Sequence, residues 1–96
     1  MRFDWDEAKN RANIAKHGVS FERASRIFDG PVLTLKERRK DYGEVRMRSI
    51  GRVESLVVLA VIHTDRDGRT RIISARPADR LERKHYEEAL QKRTYP

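Results

Sequence analysis

Cysteine is absent from the sequence, and that absence excludes several kinds of chemistry at once. Disulfides, thiolate nucleophiles, thiolate-bound zinc and iron–sulfur clusters all require it. Glycine is scarce as well, and the five glycines stand singly, which excludes the glycine-rich loops of nucleotide-binding proteins. No apolar run approaches the roughly 20 residues of a membrane span, and no signal-peptide core follows the first methionine. These absences predict a soluble, cytoplasmic protein.

Histidine is represented only by His17, His63 and His85, whose spacing matches no metal-binding motif. We therefore expect neither a metal nor another cofactor. A nucleophile-elbow motif for serine catalysis is missing too. Any catalysis must then come from His, Lys, Arg, Glu and Tyr side chains. Those residue types suit metal-free RNA cleavage, in which the substrate's own 2′-hydroxyl attacks its phosphate and the protein supplies a base, an acid and cations.

Positive charge is what the sequence has in excess. Its 96 residues, predicted to form one domain over 1–96, include 22 Lys+Arg and 15 Asp+Glu, a net charge of +7. Sixteen of the cations are arginine, whose planar guanidinium grips phosphate at two points. Between residues 31 and 80, twelve cations accompany seven anions. This concentration favours a surface that faces nucleic acid or another polyanion, and a basic surface that only confers solubility is the alternative.

Helix signals stand at both ends of the chain. Acidic capping boxes at residues 4–7 and 79–82 predict helices over about 5–17 and 79–92. A serine cap predicts a shorter helix over 20–28, which forms a helical hairpin with the first. The sequence thus begins and ends in helices.

Strand signals fill the middle of the chain. Apolar or alternating segments predict strands over about 45–51, 56–62 and 70–75, with a possible fourth over 32–35. The unbroken apolar run 56–62 is typical of a central strand that is covered on both faces. The predicted fold class is α+β, with a three- to four-stranded antiparallel sheet and helices packed largely on one face.

The predicted helices carry several candidate catalytic residues. Lys16 and His17 either offset the macrodipole at the end of the first helix, worth about 0.3–1 kcal/mol, or serve in catalysis, with His17 as acid or base. Glu82 and Tyr86 share a face of the last helix because four residues separate them. We interpret Glu82 as the capping carboxylate, and Tyr86 as either a core residue or a catalytic or stacking phenol.

Arginines on the predicted strands are the candidate phosphate ligands. Arg71 and Arg76 would point to opposite faces under strict alternation, unless a bulge intervenes. Arg46 and Arg48 share a face and could form a phosphate clamp. A solvated edge arginine is the alternative interpretation for each. His63 ends the predicted central strand and is interpreted as structural.

Several motifs together resemble the BrnT family of toxins. The resemblance covers nearly the whole chain in the right order, and its two most specific blocks are Lys-His-Gly-Val-Ser-Phe and Arg-Ile-Ile-Ser-Ala-Arg. The matching segments are Phe3-Asp4-Trp5-Asp6-Glu7-Ala8-Lys9-Asn10, Asn13, Lys16-His17-Gly18-Val19-Ser20-Phe21-Glu22, Ile50-Gly51-Arg52, His63-Thr64, Arg71-Ile72-Ile73-Ser74-Ala75-Arg76, Glu82-Arg83 and Tyr86.

The resemblance implies a toxin of a type II toxin–antitoxin system with a RelE-like fold. Such a toxin is a metal-independent endoribonuclease that arrests translation. Its partners would be an RNA substrate and a BrnA-like antitoxin of the ribbon-helix-helix kind, and the complex of toxin and antitoxin would bind operator DNA and repress its own operon. A non-catalytic basic module that binds nucleic acid or an acidic partner is the alternative.

The family's functional positions can be carried over to matching residues. The resemblance favours a catalytic set of Lys16, His17, Arg71, Arg76 and Tyr86. Arg46, Arg80 and Arg83 would contact phosphates, and the strand alternation adds Arg48. The run 36–40 is basic where the family pattern is expected to be acidic, so we expect it to add RNA affinity or to change how the antitoxin sits.

Overall fold

A five-stranded mixed sheet lies between helices in the computed structural model, which describes residues 1–37, 43–54 and 56–94. The strands are β1 (Phe3–Asp4), β2 (Val32–Lys36), β3 (Met47–Val53), β4 (Val57–Arg66) and β5 (Arg69–Pro77). The helices are α1 (Glu7–His17), α2 (Phe21–Ser25), a 3₁₀ helix (Arg26–Asp29) and α3 (Arg80–Thr94). Across the sheet the order is β1-β5-β4-β3-β2, and only the β1–β5 pair is parallel.

The first strand corrects two of our predictions. Asp4 does not cap α1; it lies in β1, and Asp6 is the cap, with its Oδ1 accepting hydrogen bonds from the Ala8 and Lys9 amides at 2.8 and 3.3 Å. The sheet is therefore mixed and five-stranded, not a three- to four-stranded antiparallel one. Contacts between residues distant in sequence place Phe3–Asp4 in the sheet. The centre of the Phe3 ring lies 5.5 Å from the centre of the Phe28 ring, and the segment pairs with β5.

Other local signals are confirmed. Gly18 ends α1 with a φ of 71°, in the left-handed region that glycine enters without steric cost. The Ser20 hydroxyl caps α2, accepting from the Arg23 amide at 3.0 Å. At α3 the capping box is reciprocal: the Glu82 amide donates to Asp79 Oδ1 at 2.8 Å, and the Asp79 amide donates to Glu82 Oε1 at 2.9 Å. Residue spacing was sufficient to predict these features because their contacts are local.

Helices cover both faces of the sheet, which corrects the prediction that they lie largely on one. One core cluster joins α1, α2 and the 3₁₀ helix to the first face; its buried members include Phe21, Ile27, Leu59 and Ile72. A second, smaller cluster packs Tyr86 of α3 against Ile50, Val58 and Ala60 on the other face. The residues of β4 alternate between the two clusters, as predicted for a central strand that is covered on both faces.

Helix α1 is joined to the outer edge of β5 by a buried asparagine. The Asn13 side chain accepts from the Ala75 amide at 3.1 Å and donates to the Ala75 carbonyl at 2.7 Å. It also donates to the Val19 carbonyl at 2.8 Å. Since β1 pairs only with residues 70 and 71, the side chain of Asn13 takes the place of a neighbouring strand at this point of β5. The link fixes α1 beside the strand that carries two candidate arginines.

Candidate nucleic-acid interface

Seven arginines of the described residues lie on the sheet face against which α3 packs, and six of them, all except Arg52, form a surface that we call the arginine face. Helix α3 packs on β2 and β3 and on Val58 and Ala60 of β4, and it leaves the rest of the β4–β5 side of this face open. Strand alternation and the pairing of β3, β4 and β5 place all six on the same side. The arginine face consists of Arg46, Arg48, Arg66, Arg69, Arg71 and Arg76.

A β-bulge brings Arg71 and Arg76 to the same face. Ile62 of β4 pairs with Ser74, but the next residue, His63, pairs with Ile72, so one residue of β5 has no partner across the ladder. The side chains of Ile72 and Ala75 consequently both enter the first core cluster although three positions separate them. Their outer neighbours, the two arginines, point the opposite way. Of the two arrangements predicted for Arg71 and Arg76, the structure therefore has the one with a bulge between them.

Glu82 holds two of these arginines together. Its Oε1 accepts from Arg76 Nη1 at 2.6 Å, and its Oε2 accepts from Arg76 Nη2 at 3.0 Å and from Arg48 Nη1 at 2.9 Å. The Glu82 side chain is only 6 % exposed, against 24 % for Arg76 and 21 % for Arg48. The interpretation of Glu82 as a capping carboxylate is confirmed but incomplete, because the same oxygens also form this ion-pair cluster.

The electrostatics of the cluster keep Glu82 ionised. Burial raises the pKa of this carboxyl, but hydrogen bonds from Arg76 and from the Asp79 amide outweigh it and bring the pKa to about 2. Hydrogen bonding to Glu82 raises the pKa of Arg76, against a smaller opposing effect of burial. Arg48 Nε is buried and has no hydrogen-bond partner among the described residues. Each guanidinium is held at one end by the Glu82 carboxylate.

The remaining arginines repeat this pattern around two other carboxylates. Asp4 accepts from Arg71 Nη1 at 3.2 Å and lies 3.9 Å from Arg69 Nη1. Glu44 accepts from Arg66 Nη2 at 3.1 Å and from Arg46 Nε at 3.3 Å. A hydrogen bond from Arg66 lowers the pKa of Glu44, despite some opposing burial. Each carboxylate thus serves two arginines, so the arginine face keeps an excess of positive charge.

Lys16 and His17 lie apart from these clusters. His17 is one helical turn beyond Asn13, so it lies on the side of α1 that faces β5, near the end of that strand. The side chains of Lys16 and His17 form no hydrogen bond or ion pair with any residue in the described ranges. Arg80 and Arg83 are exposed on the first turn of α3. Positions 38–40 of the basic run lie outside the described residues.

Tyr86 occupies a structural position. Its ring is 2 % exposed in the second core cluster, and its hydroxyl donates to the Pro31 carbonyl at 3.0 Å. The Arg52 guanidinium lies 6.0 Å from the centre of the ring. Of the two interpretations left open for this residue, the geometry favours a core residue, because its hydroxyl already donates to the Pro31 carbonyl.

His63 is buried on the opposite face of the sheet, as its structural interpretation requires. Its Nε2 lies 2.7 Å from Ser49 Oγ, which in turn lies 2.7 Å from Thr34 Oγ1. The Phe28 ring meets the imidazole edge-on at 5.3 Å, and Nδ1 has no partner among the described residues. Burial lowers the pKa of His63 below its usual 6.5, and the charge of Asp65 opposes this only in part.

This lowered pKa predicts a loss of stability in mild acid. Because the unfolded chain binds the proton more readily than the buried imidazole, the free energy of unfolding should fall as pH drops below 6.5, by at most about 1.4 kcal/mol per pH unit. His63→Gln should remove that component, whereas His85→Gln, at an exposed histidine, should keep it. Urea unfolding at pH 7.5, 6.5 and 5.5 tests this. Equal pH dependence in wild type and His63→Gln would contradict it.

Sequence reasoning missed two members of the arginine face. Arg66 and Arg69 flank the predicted Asp67-Gly68 turn, and the structure confirms that they pair directly across it. A two-residue turn fixes that register, so the signal was present in the sequence. The roles of Asp4 and Glu44 carried no comparable signal, because they depend on contacts between distant segments. No group of three metal-ligating side chains and no helix fit to span a membrane occur within the described ranges.

The fold and the arginine face define the class of protein, which is a small α+β protein with a mixed sheet and a cationic sheet face. A family model described as ribonuclease toxin, BrnT, of type II toxin–antitoxin system matches residues 5–82. The chain therefore belongs to the BrnT family, which confirms the resemblance found in its motifs. Among solved structures it is similar to the Brucella abortus ribonuclease toxin BrnT, determined at 1.1 Å.

That likeness extends over most of both chains. Identity is 29 % with a TM-score of 0.67, over 83 % of this chain and 99 % of the Brucella chain. No curated protein sequence matches. The relationship therefore rests on the family model and on the shared fold.

Proposed function

We propose that the chain is a metal-independent endoribonuclease whose active site is the open part of the arginine face. The observation that carries the proposal is the placement of Arg71 and Arg76 on one face by the β5 bulge, beside Arg48. Guanidiniums bind phosphate bidentately, and here they lie on a strand scaffold that holds them in place. Membership of a ribonuclease toxin family supports the same activity.

In the proposed reaction, the 2′-hydroxyl of the RNA attacks the neighbouring phosphorus. A base takes the hydroxyl proton, the bond from phosphorus to the 5′-oxygen breaks, and an acid protonates that oxygen, which leaves a 2′,3′-cyclic phosphate. Arg71 and Arg76 stabilise the negative charge of the phosphorane. The family resemblance supports proton transfer by His17 with Lys16 assisting, and both residues lie at the end of α1, at the β5 edge of the sheet. Tyr86 is left out of proton transfer because its hydroxyl is bonded to Pro31.

The proposal extends to the residues that bind substrate and to the partners of the protein. Arg46 and Arg48 bind phosphates on the sheet, and Arg80 and Arg83 do so from α3. A BrnA-like ribbon-helix-helix antitoxin neutralises the toxin, and the complex binds operator DNA and represses the operon. Both partner proposals, like the proposed RelE-like fold, rest on the resemblance of this chain to its family.

A second candidate is a non-catalytic module that binds nucleic acid. Ion pairing favours it, since each arginine of the arginine face already shares a carboxylate with another. Such a module would bind RNA with an affinity that falls steeply with salt, and it would leave the strand intact.

Purified, antitoxin-free protein incubated with total RNA in excess EDTA separates the two candidates. We expect cleavage in EDTA, and a loss of about 100-fold or more for Arg71→Ala and Arg76→Ala, since each removes a donor to the phosphorane. Arg11→Ala, at an exposed position on α1, is the control and should cleave like wild type. Circular dichroism confirms that each variant is folded.

The other outcomes are equally informative. Cleavage abolished by EDTA would contradict metal independence. Full activity in both sheet variants would place the active site elsewhere. Intact RNA, even with translating ribosomes added, would favour the non-catalytic module.

A further inference from the structure

The outer edge of β2 is an open strand edge with a defined hydrogen-bonding register. The order of the sheet leaves β2 with one neighbour, β3. The Glu37 amide donates to the Arg46 carbonyl at 2.8 Å, so this pair is of the hydrogen-bonded kind. Because antiparallel pairs alternate in kind, the odd-numbered residues of β2 bond to β3 and the even-numbered ones direct their amides and carbonyls outward.

Among the described residues, two of the three outward-facing residues of β2 have no hydrogen-bond partner for their backbone groups. The Val32 carbonyl accepts a long hydrogen bond, 3.5 Å, from Arg93 Nη2 of α3. For Thr34 and Lys36, no partner of the outward amide and carbonyl occurs within the described ranges. Such an edge is a template for one more strand.

A groove lies at the start of the same strand. Its volume is 530 Å³, and apolar surface predominates in its lining, which includes Pro31, the ring of Tyr86 and Leu90. Arg52 and Arg93 also line it. Glu54 is a further lining residue, but its carboxylate pairs with Arg23 Nε at 3.1 Å. Positive charge therefore predominates around an apolar floor, and Arg93 connects the groove to the open edge.

We propose that this edge and groove form a docking site for an extended, acidic segment of the antitoxin. The segment adds to β2 as a sixth strand through Thr34 and Lys36. One of its apolar side chains enters the groove, and its carboxylates bind Arg52 and Arg93. This docking site includes none of the six arginines of the arginine face. The residues of α3 that line the groove lie beyond the family match, which covers residues 5–82.

A peptide fits this edge better than RNA does. Thr34 and Lys36 each offer both an amide donor and a carbonyl acceptor, and a peptide backbone supplies the complementary pair at the same repeat. The RNA backbone offers mainly acceptors at its phosphates. The proposal rests on the proposed function only in taking the antitoxin as the partner.

Residue-resolved hydrogen exchange on the wild-type toxin, free and in complex with its cognate antitoxin, tests the docking without any mutation. We expect the amides of Thr34 and Lys36 to exchange at least about tenfold more slowly in the complex. The amides of Leu33 and Leu35, bonded to β3, should be protected in both states. Unchanged exchange at Thr34 and Lys36 in a saturated complex would overturn the proposal.

A matched pair of variants tests the strand addition directly. Lys36→Pro and Lys36→Ala both remove the charge, but only proline removes the outward amide, which β3 does not use. By calorimetric titration, the proline variant should bind the antitoxin at least about tenfold more weakly than the alanine variant. Equal affinities would overturn the proposal, and the hydrogen-exchange result decides if the proline variant does not fold.

RNA cleavage by the free variants distinguishes this proposal from the proposed nuclease activity. Both variants should cleave RNA at equal rates, since both lose the charge of Lys36 and position 36 lies outside the arginine face. A selective loss of cleavage in the proline variant, with antitoxin affinity unchanged, would show that the edge binds RNA and would overturn the docking proposal. Failure of the wild type to cleave RNA would count against the nuclease alone, because antitoxin binding is measured without activity.

Discussion

Glu82→Gln should lower the free energy of unfolding at pH 7 by roughly 3 kcal/mol. The estimate follows from the pKa of Glu82, which lies at about 2 in the folded protein against 4.5 for an ordinary glutamate. Glutamine keeps the size of the side chain and an acceptor for the Asp79 amide, but it leaves Arg48 and Arg76 without their counter-charge. Urea unfolding measures the difference. Glu87→Gln, at an exposed position on the same helix, is the control and should be nearly neutral.

The pH profile of stability gives an independent check. A carboxyl whose pKa is lowered by folding stabilises the protein fully above pH 4.5, and that contribution is lost as pH falls from 4.5 towards 2. The wild type should therefore lose stability in this range, and Glu82→Gln should show a flatter profile. If both proteins show the same acid dependence, the cluster around Glu82 does not stabilise the fold as described.

The same substitution should also affect the proposed nuclease. Glu82 fixes the directions of Arg48 and Arg76 without reaching the substrate itself, so it acts as a positioning residue. Its loss should reduce kcat while KM stays equal or falls, since the face gains positive charge. A raised KM with kcat unchanged would mean that Glu82 serves RNA binding and not the orientation of the arginines.

How much of this structure could be predicted from the sequence depends on the range of the contacts involved. The Asp79–Glu82 capping box, the Gly18 helix end and the Asp67-Gly68 turn are each specified within four residues, and all three are confirmed. The prediction that Asp4 caps the first helix is wrong, because the segment Phe3–Asp4 pairs with β5, which is distant in sequence. A local signal was then overruled by a tertiary contact.

The candidate site shows the same limit. The residue types and most positions of the arginine face followed from composition and alternation, but the bulge in β5 depends on how β4 and β5 pair. No periodicity in the sequence distinguishes a bulged strand from a regular one at residues 71–76. The sharing of each carboxylate by two arginines likewise joins segments far apart in the chain, such as Arg48 with Glu82.

Asn13→Ala should destabilise the fold by about 2–4 kcal/mol, because it leaves three buried backbone groups without partners: the amide and carbonyl of Ala75 and the carbonyl of Val19. Lys9→Ala, at an exposed position on the same helix, is the control and should change stability by less than about 0.5 kcal/mol. Thermal and urea unfolding measure both. Because Asn13 also fixes α1 beside β5, the variant should lose RNA cleavage even at temperatures where it remains folded. Wild-type stability in Asn13→Ala would show that water replaces the side chain at this strand edge.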